Sequence, residues 1–290
     1  MNIKKIKQNV VIHLVFLNFV YWTPFLQALE SKISLQFGII GDCGWLPQQT
    51  EALRQSLISH KISHLILPGD NLYNTNLNYN KIWDIWKKQG FVFDLVAIGN
   101  HNLSYDSEMT YFKMKNEFYK KEIRNNSFYI LNSDNIESVD EQLQWLENSL
   151  RNDPNPHIFL IYHHPTFTVS TNHKWQEKLT FQLKMRSLLK HYANRISSVI
   201  VGHDHISSMI QINELPLIIS GSGVEVKETQ SVDYFEDGFQ IKTMWLAPKS
   251  KHWVKLIINE SESKLTYDFI DVKSGKRSWS YNQELNHKFR

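Results

Sequence analysis

Five short stretches rich in Asp, Asn and His constrain this chain more than any other feature: GDCG (41–44), GDNLY (69–73), GNH (99–101), HHP (163–165) and GHDH (202–205). Each follows directly on an apolar, strand-like run: ISLQFGII (33–40), HLILP (64–68), DLVAI (94–98), HIFLIY (157–162) and SSVIV (197–201). Apolar, β-rich runs of this length read as strands. Ligands of open α/β sheets gather at strand carboxyl ends, so this placement converges the five motifs on one edge.

Three more strands are expected at PLIIS (216–220), WVKLII (253–258) and LTYDFI (265–270). The last two are joined by NESESK, too short for a helix, which predicts an antiparallel hairpin. Helical patterns fall between the earlier strands. TEALRQSLIS (50–59) would bury Leu53, Leu57 and Ile58. SVDEQLQWLENSL (138–150) offers a capping box of Ser138 and Glu141 and an apolar stripe of Leu143, Leu146 and Leu150. WQEKLTFQLKMRSLLKHYA (175–193) would bury Leu179, Leu183 and Leu188. Alternation of strands and helices predicts an α/β domain. Segments 102–135 and 224–252 are polar and aromatic and read as loops bordering a site. No repeat or linker divides the chain, so residues 29–290 are expected to form one domain.

Residues 1–28 stand apart. Lys4, Lys5 and Lys7 precede VVIHLVFLNFVYW, and Pro24 and Ala28 supply a break and a small residue for cleavage. That layout predicts a signal peptide, hence a secreted or periplasmic protein with no stable membrane anchor after cleavage. The apolar run is short and interrupted by His13 and Asn18, against the ~20 residues of a membrane span. The leader holds three lysines and no acids, so its removal takes the formal charge from +3 to zero. A neutral chain has no global pull toward nucleic acid or anionic membrane, and specific nucleic-acid binding is not expected. Cys43 is the single cysteine, which excludes an intramolecular disulfide. It reads either as a small buried hydrophobe or, because it lies within GDCG, as a redox- or metal-sensitive position.

Histidines and carboxylates buried together without a cation are costly to desolvate. A metal pair removes that cost. Carboxylates bridge cations, imidazole suits iron, zinc or manganese, and asparagine adds a neutral carbonyl oxygen. Two metals about 3.5–4 Å apart can hold a phosphoryl group, generate hydroxide and neutralise charge on both apical oxygens.

The order of these motifs resembles the calcineurin-like metallophosphoesterases, and within them the purple acid phosphatases of the small tartrate-resistant type. Gly44 stands where many relatives carry a histidine two residues after the first aspartate, and Tyr73 matches the tyrosine of the purple branch's GDNxY. QLQWLENSL, IISGSG and LTYDFIDVKSGK extend the resemblance over most of the chain. It implies a four-layer αββα sandwich of two mixed β-sheets with the metal site at the strand carboxyl ends.

The resemblance also implies two metal ions. Fe(III) would take Asp42, Asp70, Tyr73 and His205. A divalent iron, zinc or manganese would take Asp70 as the bridge, with Asn100, His163 and His203. His163 is preferred to His164 because the family's ligand stands two before the proline. His101 and His173 would be catalytic and, with Asn100, face the substrate. Asn102, where the family has Asp, puts the orientation of His101 in doubt, and Cys43 replaces the usual Trp. The short stretch between His101 and His163 implies that no cleavable loop covers the site. The implied reaction is hydrolysis of a small phosphate monoester by metal-bound hydroxide, carried out by a monomer. A phosphodiesterase or nucleotide-cleaving enzyme is the alternative. A non-catalytic metal-binding module is a third reading, disfavoured by the full ligand set with His101.

Overall fold

The computed structural model describes residues 34–171, 178–227, 232–247 and 249–284. The leader expected over 1–28 lies outside the described residues, and so does His173. Among the described residues no helix is long and apolar enough to cross a membrane.

The amino-terminal half runs β1 (Leu35–Ile39), α1 (Glu51–Ser59), β2 (His64–Pro68), α2 (Tyr79–Lys88), β3 (Val92–Ala97) and α3 (Tyr105–Phe112). Next come β4 (Tyr119–Ile123), β5 (Asn126–Ile130), α4 (Val139–Asn152), β6 (His157–Ile161), α5 (Leu179–Tyr192) and β7 (Ser198–Val201). The remaining described elements are strands: β8 (Ser207–Ile212), β9 (Leu215–Ser220), β10 (Tyr234–Glu236), β11 (Phe239–Leu246), β12 (His252–Asn259), β13 (Lys264–Asp271) and β14 (Arg277–Glu284). A six-stranded sheet has the order β14-β13-β12-β1-β2-β3, and an eight-stranded sheet the order β10-β11-β8-β9-β7-β6-β5-β4. Both are mixed: β1–β2–β3 and β5–β6–β7–β9 pair in parallel, whereas β12 runs antiparallel to both β1 and β13.

Period-two alternation sends successive side chains to opposite faces of each sheet. On β2, Ile66 enters the layer between the sheets, where it joins Phe37, Phe128, Phe159, Val254 and Tyr267. Its neighbours Leu65 and Leu67 turn outward to Leu53, Leu57, Trp83 and Trp86 of α1 and α2. On the far side α4 and α5 cover the eight-stranded sheet through Leu146, Leu150, Phe181 and Met185. The result is four layers, αββα, with both sheets covered on their outer faces.

Several local expectations are corrected. Ile58 is exposed on α1, where Arg54 and Ser56 are buried instead. Leu179 and Leu183 of α5 are also exposed, and Phe181, Met185, Leu188 and Leu189 face the core. Both faces of that helix carry leucines, so the pattern alone left its rotation ambiguous. Ser138 does precede α4, but its side chain makes no capping bond; Leu143, Leu146 and Leu150 are buried as expected. Segments 102–135 and 224–252 are not loops throughout. The first holds α3 and the β4–β5 hairpin, and the second holds β10 and β11.

Candidate metal centre

Strands β1, β2, β3, β6 and β7 all end beneath one of the five motifs. Hydrogen bonds lace the two sheets at that edge. Gly41 N donates to the Ser220 carbonyl at 2.7 Å, and Ser220 Oγ to the Ile39 carbonyl at 2.9 Å. Asp42, Asp70, His203 and His205 take left-handed φ values of 56°, 57°, 69° and 51°. Each such backbone costs about 1–3 kcal/mol in a residue other than glycine and is characteristic of functional sites.

Two glycines allow the loops to approach. A Cβ at Gly99 would lie 2.2 Å from both the main-chain nitrogen and Oδ1 of Asp70. One at Gly44 would lie 2.2 Å from the Leu72 nitrogen. Gly44 N donates to the Asp70 carbonyl at 3.0 Å, and Tyr73 N to the Gly44 carbonyl at 2.9 Å. Position 44 therefore carries no side-chain donor because the GDNLY backbone occupies that space.

The side chains fall into two groups that share Asp70. The Tyr73 hydroxyl lies 3.0 Å from Asp42 Oδ1, 2.9 Å from Asp70 Oδ2 and 2.7 Å from His205 Nε2. In the second group, His163 Nε2 is 3.1 Å from Asp70 Oδ1 and 3.1 Å from Asn100 Oδ1. His203 Nδ1 is 3.1 Å from Asn100 Oδ1 and 3.3 Å from His163 Nε2. Asp42, Asp70, His163, His203 and His205 are all buried. His164 also lies close to His163 and His203. Its Nδ1 is 3.0 Å from Ser133 Oγ, which favours His163 as the nitrogen turned to the acid and the amide.

The chemistry of this donor set fits metal ions. His163 Nδ1 lies 2.8 Å from the Pro68 carbonyl, an acceptor, so in the neutral ring Nε2 presents a lone pair to the oxygens of Asp70 and Asn100. Lone pairs facing each other require a proton or a cation between them. Burial alone would lower the His163 imidazole, but the charge and hydrogen bond of Asp70 push it up to about 9. Burial would raise Asp70, and His163 with His101 holds it below the ordinary carboxylate range. Burial and the charges of Asp42 and Asp70 push the Tyr73 phenol well above its usual value. Bound cations invert this logic by replacing the protons.

His101 and Asn100 are exposed at the rim. The His101 main-chain nitrogen donates to Asp70 Oδ1 at 2.9 Å, and its ring lies 4.6 Å from that of Tyr73. Asn102 folds back to donate to the Gly99 carbonyl at 2.7 Å, bracing the GNH turn. Cys43 is buried, with Sγ 2.9 Å from the Gly41 carbonyl; burial and then the Asp42 charge raise its thiol, as suits an inert small side chain.

The sequence reading did not identify three contributors. Trp45 stacks on Tyr73 at 4.4 Å and donates Nε1 to the Asp42 carbonyl at 3.1 Å. Glu225 Oε2 lies 3.3 Å from His205 Nδ1. Asp204, fully buried within GHDH, is pushed up to about 8 by burial and contacts the Thr168 hydroxyl.

The calcineurin-like phosphoesterase family model matches residues 35–207, and the chain belongs to that family. No curated protein matches the chain in sequence. Solved structures share the fold. GAP50, "the anchor in the inner membrane complex of Plasmodium", is 14% identical with a TM-score of 0.68, covering 89% of this chain and 90% of that one. Purple acid phosphatase PPD1 from yellow lupin seeds is 16% identical with a TM-score of 0.64, covering 87% of this chain but 54% of the lupin enzyme. A dimetal phosphatase from Danio rerio is 13% identical with a TM-score of 0.58, covering 87% and 99%.

Proposed function

We propose that the chain is an exported phosphatase of the purple acid type, hydrolysing small phosphate monoesters at a binuclear metal centre. The observation that carries this reading is the Tyr73 hydroxyl, set 2.7 Å from His205 Nε2 and 2.9 Å from Asp70 Oδ2 beside Asp42. Asp42, Asp70, Tyr73 and His205 would hold Fe(III), for which a phenolate beside two carboxylates and an imidazole is a suitable donor set. Asp70, Asn100, His163 and His203 would hold divalent iron, zinc or manganese. When bound, the two ions would supply an activated nucleophile and neutralise the phosphoryl charge.

The chain's own groups do the rest. Asn100 and His101, at the exposed rim, orient the phosphate, and His101 delivers a proton to the leaving oxygen. Trp45 and His101 flank the Tyr73 ring and hold its orientation. Export rests on the leader pattern of residues 1–28, and the mature enzyme is proposed to act as a monomer.

A phosphodiesterase is the runner-up, because the same donor set can serve a diester and the exposed Asn100 and His101 suit either substrate. Matched aryl monoester and diester substrates separate the two. An anchoring role, the one GAP50 is described as having in Plasmodium, draws support from the shared fold, but fold alone carries no function and the donor set here favours catalysis.

The deciding experiment is a visible absorption spectrum with iron analysis on protein purified from residue 29 onward, beside Tyr73→Phe. A purple band in the parent that disappears in the variant is the expected result. Colourless, iron-loaded and active parent protein would remove Tyr73 from the ligand set and leave only the general metallophosphoesterase reading.

A further inference from the structure

Behind Asp70 lies a carboxyl that the hydrolytic reading does not use. Glu108, in the first turn of α3, is fully buried, and its hydrogen-bond partners are neutral. Asn71 Nδ2 donates to its Oε1 at 2.6 Å, and the Tyr79 hydroxyl lies 3.0 Å from its Oε2. Asn71 is the residue after Asp70. Its Nδ2 also donates to the carbonyl of Ala97, the last residue of β3, at 3.0 Å. The Asn71 carbonyl accepts Trp83 Nε1 at 2.8 Å. The loops that carry Asp70 and His101 thus meet at one amide, and Glu108 closes the ring around it.

We infer that Glu108 is a positioning residue of the metal centre: it holds Asn71 against the end of β3 and thereby fixes the aim of the Asp70 carboxylate. The inference rests on the ligand set proposed above. A buried carboxyl serves packing poorly, since an apolar residue of similar volume often serves stability as well or better. Its value lies in direction. The Asn71 amide needs an acceptor on the α3 side, and Asp70 sits in a left-handed turn, with φ of 57°, whose next residue is tied to the end of β3 and to Glu108. Burial pushes Glu108 up to about 8, against the Asn71 and Tyr79 hydrogen bonds. Both oxygens accept, one from Asn71 Nδ2 and the other from the Tyr79 hydroxyl. A glutamine side chain keeps the acceptor for Asn71 and can turn its amide nitrogen to the Tyr79 hydroxyl oxygen, which accepts as well as donates.

The test compares Glu108→Gln, Glu108→Leu and Tyr79→Phe in the full chain by steady-state kinetics, metal titration and thermal melting. Glu108→Gln should retain parental kcat and metal affinity. Glu108→Leu should lose about 10–100-fold in metal affinity or kcat, the usual cost of removing an outer-shell partner. KM should stay within about twofold. Tyr79→Phe, which removes the hydroxyl bonded to Glu108, should fall between the two and decides the matter if Glu108→Leu does not fold. A folded Glu108→Leu with parental kcat and metal affinity overturns the inference, as does a Gln variant damaged as badly as Leu. Asp70→Asn is the control for the site itself. If Asp70→Asn is inactive while Glu108→Leu is intact, only the positioning role falls; if Asp70→Asn stays active, the ligand set falls and the inference with it.

Discussion

The six-stranded and eight-stranded sheets bring different chemistry to their common edge. Loops of the six-stranded sheet present oxygen: Asp42 after β1, Asp70 and Tyr73 after β2, and Asn100 after β3. Loops of the eight-stranded sheet present imidazole nitrogen: His163 after β6, then His203 and His205 after β7. The bracing differs as well. On the oxygen side, glycine close approaches and the Asn71–Glu108 contact set the loops. On the nitrogen side, the Pro68 carbonyl and the Glu225 carboxylate face the outer ring nitrogens. Neither sheet alone forms a complete centre, because among the seven proposed ligands every close oxygen–nitrogen pair crosses the seam.

That division can be broken from either side. Asp70→Asn weakens the group common to both donor sets, and kcat/KM for a monoester should fall by more than about 10⁴-fold, with metal content reduced. Parental turnover in that variant would contradict the oxygen-side assignment. His101→Ala sharpens the comparison, because this imidazole belongs to the six-stranded sheet and is exposed while the three opposite are buried. It should cost about 10²–10⁴-fold in kcat with metal stoichiometry intact. Loss of metal there would show that His101 acts as a ligand rather than an acid. The smallest effect on turnover concerns the layer that holds the halves together. Phe128 of β5 stacks on Phe159 at 4.8 Å and meets Phe37 of β1 edge-on at 5.5 Å. Phe128→Ala should lower stability by about 3–5 kcal/mol in urea titration while the folded fraction keeps its kcat. An unchanged midpoint would mean that the sheets do not rely on this contact.

Much of this arrangement was legible in the sequence where the chain is most apolar. Strands β1, β2, β3, β6 and β7 are buried on both faces toward their carboxyl ends, so each reads as a continuous hydrophobic run whose end marks a donor loop. Strand β8 was not legible, because Ser207 and Ser208 begin it and Ser207 Oγ bonds to Ser222 Oγ at 2.8 Å, a partner revealed only by folding. The edge strand β14, RSWSYNQE, is half exposed and looks polar. Helix α2 hides a buried Trp83 and Trp86 behind an asparagine-rich lead, although Asn78 is a good cap whose side chain accepts from Lys81 N at 3.2 Å. At the centre itself, ligand-type residues showed themselves by type and spacing. Trp45, Glu108 and Glu225 did not, since each acts through a neighbour from another motif or element.

The seam has a consequence for how the molecule endures heat and chelators. Ions held between oxygen donors of one sheet and nitrogen donors of the other would bind the native arrangement and neither sheet apart. By mass action, each tenfold rise in the ratio of free metal to its Kd would then add about 1.4 kcal/mol to the whole fold. Metal supply would in this way set the melting temperature as well as the rate, and a chelator would act on the protein as a mild denaturant.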